Sequence, residues 1–328
     1  MIARSDAGER YSGAMPEGER RLIQRIRQMA RASASVVCGI GDDAAVLRIP
    51  PGEDVLVTTD FSLENVHFRQ EWHSPEVVGW RCLTRGLSDI AAMGGEPRAA
   101  FLSLAVAGDV PQKWVDGFVK GLMELGKKLG VPLAGGDTAQ AVRGIQADIV
   151  VVGSVPKGQA VLRSGAQAGD GIYVTGELGG AAMALSRLME GKAVGAAKWA
   201  KFRPTARVGV GRWLREHRIP SAMIDVSDGL STDLAHICEE SRVGAEIEEQ
   251  AIPRAEWRPK KTVGLEFALH GGDEYELVFT SSRRVPTEVK GVPITRIGRI
   301  QTSREMKIVD AAGKSRRLKA GGWEHFKG

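Results

Sequence analysis

The chain has 328 residues, 43% apolar and 26% charged. That composition excludes a wholly disordered protein and leaves room for about two domains. The 45 Lys and Arg exceed the 40 Asp and Glu by five, and aromatics are only 5%, so neither charge nor stacking capacity points to a nucleic-acid binder.

Residues 1–18 lack apolar periodicity and read as a loose tail. Leu22, Ile23, Ile26 and Met29 keep helical spacing. Val55-Leu56-Val57 has the signature of a buried strand and runs into Thr58-Thr59-Asp60. Ser74-Pro75-Glu76 opens a helix that Gly94-Gly95 should stop near Met93. Strands are predicted at 99–107 and 147–155, with a helix at 112–129 closed by Gly130. The second half has strands at 172–174, 223–225 and 275–280, and helices at 179–190, 206–217 and 230–240. Strands and helices alternate throughout, so the expected class is mixed α/β in two domains, 19–155 and 156–328, divided at Val155-Pro156-Lys157-Gly158. Two short echoes, Gly-Gly-Asp at 135–137 and 271–273 and Ser-Asp at 88–89 and 227–228, leave an internal duplication open.

Cys38, Cys82 and Cys238 stand apart with no CxxC pair, which disfavours a disulfide framework and favours a reducing compartment. Met1–Arg21 has no apolar signal-peptide core, and no apolar run approaches the ~20 residues of a membrane span. A cytoplasmic protein without a membrane partner is expected.

The chain has no GxxxxGK[ST], no protein-kinase motif set, no HExxH and no GxSxG. It has aspartates at strand ends and glycine turns: Asp42-Asp43, Asp60, Asp89, Asp137, Asp225 and Asp228. Carboxylates beside apolar runs are costly unless a cation or strong donors meet them. Hard oxygen donors without His or Cys suit Mg²⁺ shared with substrate phosphates. Asp89 lies in the last turns of a predicted helix, where the dipole disfavours an acid by roughly 0.3–1 kcal/mol. It reads equally as a cation ligand or as a solvated, locally bonded acid. His67, Arg163 and Trp323 each have a functional reading (substrate contact, phosphate clamp, pocket cap) and a structural one.

Taken together, GIGDDAAV (39–46), TTD (58–60), NVHF (65–68), LSDIAAMGGEP (87–97), GGDT (135–138), RSGAQAGD (163–170), YVTG (173–176), IDVSDGLSTDL (224–234), GGDEYELVFT (271–280) and GWEHF (322–326) resemble the thiamine-monophosphate kinases over nearly the whole chain. These belong to a wider superfamily with aminoimidazole ribonucleotide synthetase that binds ATP without a P-loop. The resemblance implies a two-domain α/β fold whose N-terminal domain closes a dimeric β-barrel with its copy. It implies conversion of thiamine phosphate and ATP to thiamine diphosphate and ADP. Carried over, Asp43, Thr58, Thr59, Asp60, Asp89, Asp137, Asp225 and Asp228 hold several Mg²⁺ ions. Gly136, Asp137, Arg163 and Ser227 contact ATP, and His67, Asp273 and Trp323 contact thiamine phosphate. One departure stands out: the family's GGEDYEL is GGDEYEL at 271–277. Either the shorter Asp273 reaches the substrate or Glu274 takes over.

Other readings remain. A selenophosphate synthetase normally needs a reactive Cys in its N-terminal segment, and residues 1–37 contain none. A hydrogenase maturation protein would want a C-terminal Cys, where this chain reads Phe326-Lys327-Gly328. A non-catalytic nucleotide-binding module is the alternative of a different class.

Overall fold

In the computed structural model, residues 19–30, 33–40, 44–195 and 200–325 are described. The predicted tail, Asp42, Asp43 and Phe326 lie outside them. The chain divides into two compact units. Unit 1 runs up to Gly86 and resumes at Pro97–Ser154; unit 2 comprises Leu87–Glu96 and the chain from Val155.

Unit 1 holds α1 (Glu19–Met29), the small hairpin β1 (Val36–Cys38) and β2 (Val46–Leu47), and strands β3 (Glu53–Leu63), β4 (Glu96–Ala107), β5 (Leu133–Ala141) and β6 (Ile145–Pro156). The four longer strands form an open sheet in the order β3-β6-β4-β5, with β4 and β5 parallel. Helix α2 (Pro75–Ala92) starts in this unit, and α3 (Gln112–Leu129) ends at Gly130, whose φ is 72°. Trp114 and Phe118 of α3 are fully buried, and Trp114 stacks on Phe68 at 6.0 Å. The two helices touch backbone to backbone. A Cβ at Gly79 would collide with the Phe118 carbonyl, and one at Gly121 with the Glu76 carbonyl.

Strand β3 is where the sequence expectation needs correction. Leu56 is buried, but Val55, Val57 and Phe61 are 53%, 66% and 59% exposed. Side chains alternate across a strand, so β3, an edge strand, buries one face and leaves the other apolar and open. A second correction concerns Gly135-Gly136-Asp137, which lies inside β5 rather than in a turn.

Unit 2 is built on a larger sheet, β16-β15-β9-β14-β7-β12-β8 with β13 on β14. Its strands are β7 (Gly171–Thr175), β8 (Ala222–Asp225), β9 (Gly244–Glu248), β12 (Leu277–Ser281), β13 (Glu288–Val289), β14 (Val292–Gln301), β15 (Met306–Val309) and β16 (Ser315–Arg317), while β10 (Glu256–Arg258) and β11 (Lys261–Thr262) pair separately. Its helices are α4 (Gly180–Met189), α5 (Val208–Glu216), α6 (Leu230–Ser241) and α7 (Leu265–His270). One core joins Leu230, Leu234 and Ile237 of α6 to Val174, Ile224 and Val278 of the sheet. A second joins Val210 and Leu214 of α5 and Ala91 of α2 to Met223, Leu277 and Phe279. In β8 and β12 these core residues alternate, so helices cover both faces of the sheet. The Gly-Gly-Asp and Ser-Asp echoes fall on strand β5 and helix α2 in one case and on loops in the other, so they share no local conformation.

Candidate functional site

The densest gathering of the predicted residues is in unit 2, where β8 runs out into Val226–Gly229 before α6. Two chain segments, 273–276 and 322–323, fasten to this loop and the start of α6 by hydrogen bonds. Val226 N donates to Glu276 O at 2.7 Å, Tyr275 N to Val226 O at 2.9 Å, and Asp273 N to Ser227 O at 2.8 Å. From the C-terminal segment, Trp323 N donates to Asp228 O at 3.0 Å and Gly322 N to Thr232 Oγ1 at 3.0 Å. Asp225, Ser227, Asp228, Asp273 and Trp323 are therefore brought together. Trp323 keeps 52% of its surface exposed, so its ring offers a face to a ligand.

Asp233, one turn into α6 and almost fully buried, accepts the N–H groups of Gly229 at 3.0 Å and Asp228 at 3.2 Å. Burial, and then the charges of Asp225 and Asp228, push its carboxyl up to about 8. Burial is the larger cause; the smaller share from Asp225 and Asp228 reflects negative charge gathered at the loop, which a cation would relieve. The donors are hard carboxylate oxygens, the chemistry that Mg²⁺ favours. Among the described residues no group of three or more His, Cys, Asp or Glu stands ready to hold an ion. Mg²⁺ commonly takes one or two carboxylates and completes its shell with substrate phosphates and water.

The inverted acidic pair has separate fates. Glu274 Oε1 accepts the Ala181 N–H at 2.9 Å in the first turn of α4, where an acid is favoured by the helix dipole. Burial nevertheless pushes this carboxyl up to about 8. Asp273 instead accepts the phenolic O–H of buried Tyr275 at 2.7 Å. Glu276 is buried against Arg207, which grips both of its carboxylate oxygens, and also accepts Thr175 Oγ1 at 2.6 Å.

Arg163 is placed apart from these groups. Its carbonyl accepts Ser241 Oγ at 3.1 Å, at the far end of α6 from Asp228. Helix α6 has 12 residues, a length of ~18 Å at 1.5 Å per residue. Asp89 is partly buried in the penultimate turn of α2, beside Ser88, which is fully buried and whose Oγ has no hydrogen-bond partner among the described residues.

In unit 1 the predicted residues spread over two strands and a turn. Thr58 and Asp60 lie on the face of β3 that carries Leu56 and Ser62, whereas Thr59 lies on the opposite face and donates to Asp148 Oδ1 at 2.6 Å. Asp60 Oδ1 is 3.7 Å from Arg85 Nη1. His67 Nδ1 accepts the Leu63 N–H at 3.0 Å, which anchors the ring to its own turn. Gly136 (φ 146°) opposes Leu102 across the parallel pair so closely that a Cβ would strike the Leu102 carbonyl. Gly136 and Asp137 line a cavity of about 80 Å³ with Ile23 and Ile26 of α1.

Sequence reasoning missed Asp233, the Arg207–Glu276–Thr175 cluster and the Tyr275–Asp273 bond. Asp233 had a usable signal, an acid in the first turn of a helix that follows two aspartates. Arg207 had none, being 69 residues from its partner.

The AIR synthase related protein, N-terminal domain family matches residues 41–155, and the AIR synthase related protein, C-terminal domain family matches residues 167–310. These two families define the class to which both units belong. The thiamine-monophosphate kinase of Bacillus subtilis (strain 168) is 37% identical over 325 residues, covering 93% of this chain and 98% of that protein. The crystal structure of thiamine-monophosphate kinase from Stenotrophomonas maltophilia K279a superposes with a TM-score of 0.79 at 34% identity, covering 91% of this chain and 98% of that one. AaThiL complexed with AMPPCP and TMP gives a TM-score of 0.74 at 29% identity, covering 94% and 97%. The chain belongs to the thiamine-monophosphate kinase family, a family of phosphotransferase enzymes.

Proposed function

We propose that this protein phosphorylates thiamine phosphate with ATP, giving thiamine diphosphate and ADP by direct in-line transfer, as a cytoplasmic homodimer. The carrying observation is the loop Asp225–Asp228, which holds two carboxylates beside Asp273 and an exposed tryptophan. ATP and a phosphate monoester together bring roughly five to six negative charges, which repel strongly unless cations intervene. When bound, Mg²⁺ supplies that neutralisation and stabilises the loose transition state. In unit 2, Asp89, Asp225 and Asp228 would hold it; in unit 1, Thr58, Thr59, Asp60 and Asp137 would do so, with Asp43.

Gly136, Asp137, Arg163 and Ser227 are assigned to ATP, and His67, Asp273 and Trp323 to thiamine phosphate. The thiazolium ring is a cation, and a tryptophan face attracts such a charge by about 0.5–2 kcal/mol. Asp273 rather than Glu274 is the substrate acid in this reading, because Glu274 is bonded to the start of α4. The acceptor is a phosphate oxygen, already ionised near neutrality, so no strong general base is required. Residues 19–155 serve ATP, metal and dimerisation, and 156–328 serve ATP and substrate. The open apolar face of β3 supports the dimer, since pairing with a copy would bury Val55, Val57 and Phe61.

The deciding assay incubates the protein with ATP, Mg²⁺ and thiamine phosphate. Equal amounts of thiamine diphosphate and ADP, both abolished by EDTA, are expected. ATP consumption without thiamine diphosphate would overturn the substrate assignment, and a trapped phosphoenzyme would overturn direct transfer.

A further inference from the structure

A groove of about 460 Å³ lies in unit 2 along the C-terminal half of α6, and the function proposed above makes no use of it. Arg242 enters it from the end of α6, Arg304 from the turn between β14 and β15, and Arg317 and Lys319 from β16 and the residue run beyond it. All four are exposed, and among the described residues none makes a side-chain hydrogen bond or ion pair. Two acids share the lining. Glu305 is engaged by Lys307 at 3.3 Å, which leaves Glu239 as the local counter-charge.

A guarded sheet edge is the plain explanation for basic residues on β16, because charge there discourages strand pairing. It covers Arg316, which reaches Glu249 at 3.8 Å, and Arg317. It does not explain Arg242 and Arg304, which come from two other segments to the same concavity. Holding four cations together is unfavourable unless an anion joins them. The negative end of the α6 dipole opposes an anion by about 0.3–1 kcal/mol, less than several guanidinium contacts return. Burial pushes the thiol of Cys238, in the lining, up to about 12, so it adds no negative charge.

We propose that this groove binds a small phosphorylated anion carrying at least two negative charges. The volume suits a small molecule, and arginine forks suit phosphate oxygens. The groove is distinct from the acidic loop, which sits at the other end of α6.

The test is calorimetric titration of inorganic pyrophosphate into the full chain in EDTA, so that no divalent cation can bridge phosphate to the acidic loop. The wild type is expected to bind. Arg242→Ala with Arg317→Ala should weaken binding at least tenfold while leaving Mg²⁺-dependent ATP turnover and circular dichroism unchanged. Arg163→Ala is the control, since Arg163 is assigned to ATP and its carbonyl meets Ser241 next to Arg242; it should leave pyrophosphate binding intact. No binding by the wild type, equal binding by the double variant, or loss confined to Arg163→Ala would overturn the proposal. Tighter, steeply salt-dependent binding of a single-stranded oligonucleotide would overturn it in favour of a nucleic-acid surface.

Discussion

Asp273 and Tyr275 both hold positive φ, 63° and 56°, a region that costs a non-glycine residue of order 1–3 kcal/mol. The bonds Asp273 N to Ser227 O and Tyr275 N to Val226 O enforce it. The same geometry turns the Tyr275 hydroxyl onto Asp273, so under the proposed function Tyr275 would position the substrate acid. Tyr275→Phe removes one oxygen and no packing volume. It is expected to raise KM for thiamine phosphate about three- to tenfold, up to ~1.4 kcal/mol, with KM for ATP and kcat near wild type; equal rises in both KM values would make the bond structural. Glu274 gives a pH prediction. Its carboxyl titrates near 4.5 when unfolded and is pushed up to about 8 when folded, chiefly by burial. The folded state therefore holds the proton longer, and stability falls as pH rises across that window. Urea unfolding from pH 5 to 8.5 should show the decline, and Glu274→Gln, which can still accept the Ala181 N–H, should flatten it in part, leaving the share of Asp233, whose carboxyl is pushed to the same range. Parallel curves would show that another group carries the effect.

At the scale of elements, the strand-end turn 273–277 is held by a buried ion pair. Arg207, just before α5, grips Glu276, and Thr175 of β7 completes the cluster by accepting the Leu277 N–H at 2.8 Å. Removing one member of such a pair leaves the other charge buried and costs about 3–5 kcal/mol. Arg207→Ala should lower the urea midpoint accordingly and loosen the turn that carries Asp273. Adding Glu276→Gln should recover part of the loss, and failure to do so would mean that Arg207 stabilises by packing alone.

At the scale of the whole molecule, the exposed stripe Val55, Val57 and Phe61 on an edge strand is the feature a monomer explains least well. Val57→Asp with Phe61→Asp should convert the proposed dimer to a monomer by light scattering, without changing the helical circular dichroism. A wild type that is already monomeric would remove the homodimer from the proposal. Among the described residues no helix is long and apolar enough to cross a membrane.

The sequence by itself determined most elements and the chemistry of the donors. Helix α3 fell at its predicted bounds, 112–129, because amphipathic spacing and a glycine stop are local signals. Asp225 and Asp228 were legible because carboxylates next to an apolar strand contradict burial unless something meets them. Period alone could not say which face of Val55-Leu56-Val57 was buried, since that depends on what packs against the sheet. Likewise only tertiary structure decided that Glu274 bonds to α4 while Asp273 faces Tyr275, that Arg163 stands a helix length from Asp228, and that four cations from three segments share one groove. These rest on contacts between residues distant in the chain, and even the local Tyr275–Asp273 bond is held in place by backbone bonds to Val226 and Ser227; no local propensity encodes them.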